Sequence, residues 1–192
     1  MMDAASLVAQ ILGESADLHD AARSTAVIPA AEAAAAVVEA LRAGGQVLIF
    51  GNGGSATDAQ HFAAELVGRF ARERRGLAAI ALTADSAVVT AVANDYGYER
   101  VFARQVEALG REGDVAIGIS TSGTSVSVLA GLAAAEAAGM VTVGMTGRDG
   151  GTIATAVDIH INVASASTAR VQEVHRTLLH AMCELIEREP YA

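Results

Sequence analysis

The hydrophobic rhythm of the chain changes once, near residue 46. Before it, Leu7, Val8, Ile11, Leu12 and Leu18 recur at helical spacing and predict a first helix. Pro29 opens a second, alanine-rich helix through Val37, Val38 and Leu41, and Gly44-Gly45 stops it. From Gln46 onward, short apolar runs alternate with segments of helix length. The runs are Val47–Phe50, Ala78–Leu82, Val115–Ile119, Val141–Met145 and Val157–Ile161. Runs that are continuously apolar, not alternating, suit strands buried on both faces. A last helix is predicted from about Ser167 to Glu187. The reading is an α/β fold with three layers: a doubly wound parallel sheet of about five strands, preceded by an N-terminal helical arm. Residues 1–192 are expected to form one domain, with 1–44 packing on the core or on a neighbouring subunit and 45–192 forming the α/β core.

Composition narrows the possible functions. Hydrophobic residues make up 52% and charged residues 18%, which excludes a disordered chain. Every apolar run is broken by Gly, Glu or Arg within a dozen residues, so no membrane-spanning helix is expected. The N-terminus carries no basic segment, so no secretory signal is expected. Cys183 is the only cysteine, so no intramolecular disulfide can form, which fits a cytoplasmic protein. The formal charge of −9 argues against nucleic acid and anionic membrane surfaces as partners.

All 13 basic side chains are arginine. Without lysine there is no Schiff base and no Walker-A phosphate clamp. Any phosphate must be held by backbone N–H groups, hydroxyls or arginine.

Ligands of such sheets bind beyond the carboxyl ends of the strands. The first strand is followed by Gly51-Asn52-Gly53-Gly54-Ser55. That turn either lets a ligand approach the backbone or is simply tight. The third is followed by Ser120-Thr121-Ser122-Gly123-Thr124-Ser125, five hydroxyls at a helix N-terminus. One hydroxyl caps a helix; five make a cradle for phosphate. Asn94-Asp95 closes a helical stretch and either binds sugar hydroxyls or only terminates the helix.

Two helices carry candidate chemistry. His61 and Glu65, four residues apart, share a helix face and could bind one metal ion or form an ordinary polar pair. Gln172 and His180 lie two turns apart on one side of the last helix, among apolar residues. His175 points roughly 140° away from His180 at ~100° per residue, so the two cannot share a metal. His19 and His160 have no nearby cluster and read as structural. Proton transfer between adjacent sugar carbons needs two groups that trade protons and a stabiliser for the enediolate oxygens. Glu65 and His180 could be the pair, with a metal or Gln172 steadying the oxygens.

Taken together, Gly51–Ser55, Asp58, His61–Leu66, Asn94–Gly97, Gly118–Gly123, Thr146-Gly147 and Gln172-Glu173 through His180 resemble the sedoheptulose-7-phosphate (phosphoheptose) isomerase family of the sugar-isomerase (SIS) domain superfamily. The likeness runs from the N-terminal helices to the last helix. It implies a homotetramer with sites near subunit interfaces and one zinc per subunit, ligated by His61, Glu65, Gln172 and His180. It implies substrate contacts from Asn52, Gly53, Gly54, Ser55, Glu65, Asn94, Asp95, Ser120, Thr121, Ser122, Ser125 and Gln172. The implied reaction converts sedoheptulose 7-phosphate to D-glycero-D-manno-heptose 7-phosphate through an enediol, feeding nucleotide-activated heptose synthesis. Two positions depart from the family pattern: Thr124 stands where Asn is usual, and Ala169 where many members carry Asp.

Two other readings remain at this point. A related SIS scaffold, the DnaA initiator-associating protein, lacks the acid at the position of Glu65 and the histidine at that of His180. An isomerase for a different sugar phosphate would keep the same fold and phosphate loop.

Overall fold

The computed structural model describes residues 3–191. In chain order the elements are α1 (Ala4–Thr25), α2 (Val27–Arg42), β1 (Val47–Gly51), α3 (Gly54–Val67), β2 (Ala79–Ala81), α4 (Ser86–Tyr96), α5 (Ala103–Leu109), β3 (Val115–Ser120), α6 (Val126–Ala137), β4 (Val141–Gly147), β5 (Ile159–Val163) and α7 (Thr168–Glu187). The five strands form one parallel sheet in the order β2-β1-β3-β4-β5.

The apolar runs are strands because both faces are covered. Val47 and Ile49 of β1 and Val115, Ile117 and Ile119 of β3 pack with Val37, Phe62, Leu66, Val171 and Met182 from α2, α3 and α7. Leu48 and Phe50 point the other way, onto Phe102, Val106, Val128 and Leu132 of the α5–α6 side. That is the expected doubly wound, three-layer architecture.

Three boundaries differ from expectation. The second helix starts at Val27, not Pro29, after a single break at Ala26. Pro29 still fits, because first-turn N–H groups need no helical partner. The second strand shrinks to three residues at the sheet edge. The fifth strand is Ile159–Val163 rather than Val157–Ile161. Asp158 is diverted to an anchoring role: its carboxylate accepts bonds from Thr142 N and Oγ1, each 2.8 Å long.

The helical arm divides. α2 is buried along Ala30, Ala33, Ala34, Val37 and Leu41, against the core. α1 buries only Ala22 and leaves Leu7, Val8, Ile11 and Leu12 exposed. Among the described residues no single helix is long and apolar enough to cross a membrane.

Candidate active site

The strand order reverses direction between β1 and β3, the position where doubly wound sheets open a crevice. Two elements start there. Gly53, at φ +58°, turns the chain from β1 into α3, and the loop after β3 leads into α6.

α3 and α7 pack side by side, and their polar residues meet as three rungs. Helical spacing places Gly54, Asp58, His61 and Glu65 on one side of α3, and Gln172, Arg176 and His180 on one side of α7. In the first rung the Gln172 amide is seated on Gly54, where a Cβ would lie 2.5 Å from its Nε2. In the second, Arg176 Nε donates to Asp58 Oδ1 at 2.9 Å and its Nη2 donates to the same oxygen. In the third, His61 Nε2 and His180 Nε2 stand 2.7 Å apart, with Glu65 Oε1 3.3 Å from His61 Nε2. The ligand atoms of His61, Glu65 and His180 all lie within 4.8 Å of one another.

The rungs border a cleft of about 620 Å³ lined by Gly54, Gln172, Arg176 and His180, with His19, Thr57 and Thr177 along its walls. Phe70 covers the third rung, its ring centroid 5.6 Å from that of His180. Burial holds His180 below the usual histidine range, helped by His61 and Arg176 and opposed by Glu65. It is therefore an unprotonated ring near neutral pH, able to accept a proton or to ligate a metal.

Two imidazoles and a carboxylate at this separation fit a single divalent transition ion. The close approach of two ring nitrogens supports the fit, since both can direct lone pairs to one centre. Gln172 lines the same cleft from the next rung but one, and its amide oxygen is a further potential donor.

The hydroxyl-rich loop forms a separate wall. Gly123, at φ +69°, folds it tightly against the Gly150-Gly151 turn. Ser122 Oγ lies 3.3 Å from Ser120 Oγ and accepts from Thr124 N at 3.2 Å. Ser125 precedes α6 yet makes no capping bond with it. The first N–H groups of that helix thus keep no side-chain partner among the described residues, as an anion site requires. Ser125 Oγ instead accepts from Asn52 Nδ2 at 2.9 Å, and Ser127 Oγ accepts at 3.0 Å. Tyr98 donates to Asn52 Oδ1 at 2.8 Å. Asn52 thereby ties the Gly-rich turn to the loop across the crevice.

The structure thus brings together His61, Glu65 and His180, sets Gln172 on Gly54 in the same cleft, and joins Asn52 to Ser125. Thr121 is half-buried and Ser55 buried beside Gly51. Asn94 and Asp95 bond each other at 2.8 Å in the exposed last turn of α4 and make no side-chain hydrogen bond to the other candidates. His175 stands apart as expected: fully buried, its Nε2–H donates to Thr146 O at 2.9 Å. His160 is likewise structural, bonded to Thr146 Oγ1 at 2.7 Å.

His19 is not isolated. It reaches the cleft wall, with Nδ1 2.8 Å from Ser15 O and Nε2 2.9 Å from Thr177 Oγ1. Arg176 was missed as a site residue, although its four-residue spacing from both Gln172 and His180 was a usable signal.

Comparison with known proteins agrees with this geometry. Residues 12–147 match the SIS domain family. A phosphoheptose isomerase from Roseiflexus sp. (strain RS-1) is 63% identical over 152 residues, covering 79% of this chain and 77% of that one. The chain belongs to the phosphoheptose isomerase family. Another member, from Halorhodospira halophila, is 50% identical over 190 residues, covering 97% of this chain and 96% of its own. The solved phosphoheptose isomerase GmhA from Neisseria gonorrhoeae superposes with a TM-score of 0.93 at 45% identity, covering 97% of this chain and 100% of that one. The Francisella tularensis phosphoheptose isomerase gives 0.93 at 37% identity, covering 98% and 100%.

Proposed function

We propose that this chain is an aldose–ketose isomerase converting sedoheptulose 7-phosphate to D-glycero-D-manno-heptose 7-phosphate, the first step towards nucleotide-activated heptose. The observation that carries the reading is the convergence of His61, Glu65 and His180 across the α3–α7 seam, beside a hydroxyl-rich helix N-terminus. The relatives are phosphoheptose isomerases, which supports a heptose phosphate as the substrate class.

In the forward direction a proton leaves C1 of the open-chain ketose and O2 gains one, giving the enediol. O1 then loses its proton and C2 gains one, giving the aldehyde. Glu65 and His180 serve opposite ends of this transfer. The second oxygen of the Glu65 carboxylate stays free to handle protons when the first ligates, whereas His180, whose Nε2 faces the cluster, handles protons only while that nitrogen is not ligating. The low proton affinity of His180 keeps it in the accepting form. The Ser120–Ser125 loop and the start of α6 hold the phosphate, with Asn52, Gly53, Gly54 and Ser55 bounding the chain from the β1 side. Gln172 adds a contact from the cleft wall, and the family resemblance adds Asn94 and Asp95 at the end of α4.

A divalent ion, zinc by family resemblance and one per subunit, would sit on His61, Glu65, Gln172 and His180 and polarise the substrate oxygens as a Lewis acid. The chain acts as one SIS domain in the cytoplasm and assembles as a homotetramer. The exposed Leu7, Val8, Ile11 and Leu12 stripe on α1 supports self-association. The scaffold alternative has less support, because both proton-handling residues are present and face one another.

The deciding comparison is Glu65→Gln against His180→Gln, assayed for turnover, metal content and exchange of substrate C–H with deuterated solvent. Each variant should lose turnover and exchange. Substantial turnover in both would sink the assignment.

A further inference from the structure

We propose that Arg176 is a substrate-binding residue, reading a hydroxyl of the sugar chain beyond the two reacting carbons. The proposal rests on the isomerase reading above and adds a residue to it.

Three observations carry it. First, Arg176 lies on the same stripe of α7 as Gln172 and His180, four residues from each. At 1.5 Å per residue its Cα is about 6 Å along the helix from that of His180. The next oxygens of an extended sugar chain fall on that scale. Second, its side chain is 42% exposed and that exposure opens into the cleft. Third, its orientation is fixed from behind. Nε and Nη2 both donate to Oδ1 of Asp58, a carboxylate only 4% exposed. Nη1 makes no hydrogen bond among the described residues. A guanidinium has five N–H donors in a rigid plane. The carboxylate takes two of them, so the remaining edge is presented to the cleft already oriented, which lowers the entropy lost when a hydroxyl is bound.

Asp58 has a second consequence. It offsets the arginine charge, so a cation can sit one rung away without an uncompensated guanidinium beside it. Arg176 is thus a hydrogen-bond donor with little net field, suited to a neutral hydroxyl rather than to a phosphate.

The test compares wild type with Arg176→Met and Arg176→Lys, measuring KM, kcat, metal content and the calorimetric affinity for sedoheptulose 7-phosphate. Arg176→Met is expected to raise KM and weaken binding by about tenfold or more, with kcat and metal content held within about threefold. Arg176→Lys keeps the charge without the fork and should recover only part of the loss. If Arg176→Met destabilises the fold by orphaning Asp58, the Asp58→Asn/Arg176→Met double variant removes the buried charge and carries the same expectation.

Unchanged substrate affinity in a folded variant overturns the proposal, as does an affinity loss that tracks loss of metal. Competitive inhibition by inorganic phosphate should be unaffected; an equal loss there would assign the arginine to phosphate and overturn the hydroxyl reading. Wild-type protein that binds the sugar phosphate without turning it over defeats the isomerase reading, while the affinity ratio between wild type and variant still tests the arginine.

Discussion

His61 and His180, 119 positions apart in the chain, bring their Nε2 atoms to 2.7 Å. Two ring nitrogens this close cannot both carry protons, so one donates to the other or both turn lone pairs to a shared cation. His61→Ala should therefore lower affinity for a divalent ion by well over tenfold while leaving the fold intact. Competition with a chromophoric chelator reads this directly. Wild-type affinity in the variant would remove His61 from the site.

Gly123 is the least replaceable residue of the hydroxyl loop. It sits at φ +69°, and a Cβ there would collide with the carbonyl of Gly150, which is backbone and cannot swing aside. Gly123→Ala should raise KM for the sugar phosphate by about tenfold or more, and weaken inhibition by inorganic phosphate in parallel. The control is Gly13→Ala on exposed α1, where an added Cβ meets nothing within 4 Å.

Glu187 organises the segment that covers the third rung. Its carboxylate accepts from Phe70 N at 3.0 Å and from Ala71 N and Arg72 N at 2.8 Å, with Arg74 Nε at 3.4 Å. Burial alone would push its pKa up, but these N–H groups and Arg74 outweigh it and hold the acid below its ordinary value. Glu187→Ala should lower Tm by roughly 5–10 °C. Releasing Phe70 from above His180 should also reduce kcat. Activity at the wild-type level in this variant would show that the Phe70 cover is dispensable.

Stability should fall as pH drops below about 6.5. Burial depresses the proton affinity of His160, His175 and His180 below their ordinary value near 6.5. Above that pH the rings are neutral whether the chain is folded or not. Below it the unfolded chain takes up protons that the folded rings refuse, so stability declines with pH until the folded pKa is reached. His175 contributes most cleanly, since it is fully buried and its Nδ1 has no hydrogen-bond partner among the described residues. His175→Gln retains an amide donor in place of Nε2 and removes the titration. Its Tm should change less between pH 7.5 and 5.5 than that of wild type; equal slopes would contradict this account.

The sheet was legible because burial on both faces leaves a local signature: Val47–Phe50 and Val115–Ile119 carry no polar residue at all. The exception is instructive. Val157 and Asp158 read as strand, yet Asp158 turns its carboxylate to Thr142. Partners on another strand leave no trace in a local window. The site followed the same rule. His61 with Glu65, and Gln172 with His180, were visible as spacings within one helix. Which residues of α3 would face which residues of α7 was not, so the Asp58–Arg176 rung passed unnoticed. His19 was judged isolated because its partner, Thr177, lies 158 residues away.

The rungs also set when the site can come into being. α3 is synthesised well before α7, since Asp58 and Arg176 lie 118 positions apart. A ribosome-bound chain that has completed the sheet but not the last helix holds only a lone His–Glu pair on α3, too few donors to retain an ion. The three-donor cluster of His61, Glu65 and His180 therefore exists only after α7 has cleared the ribosome and docked on α3.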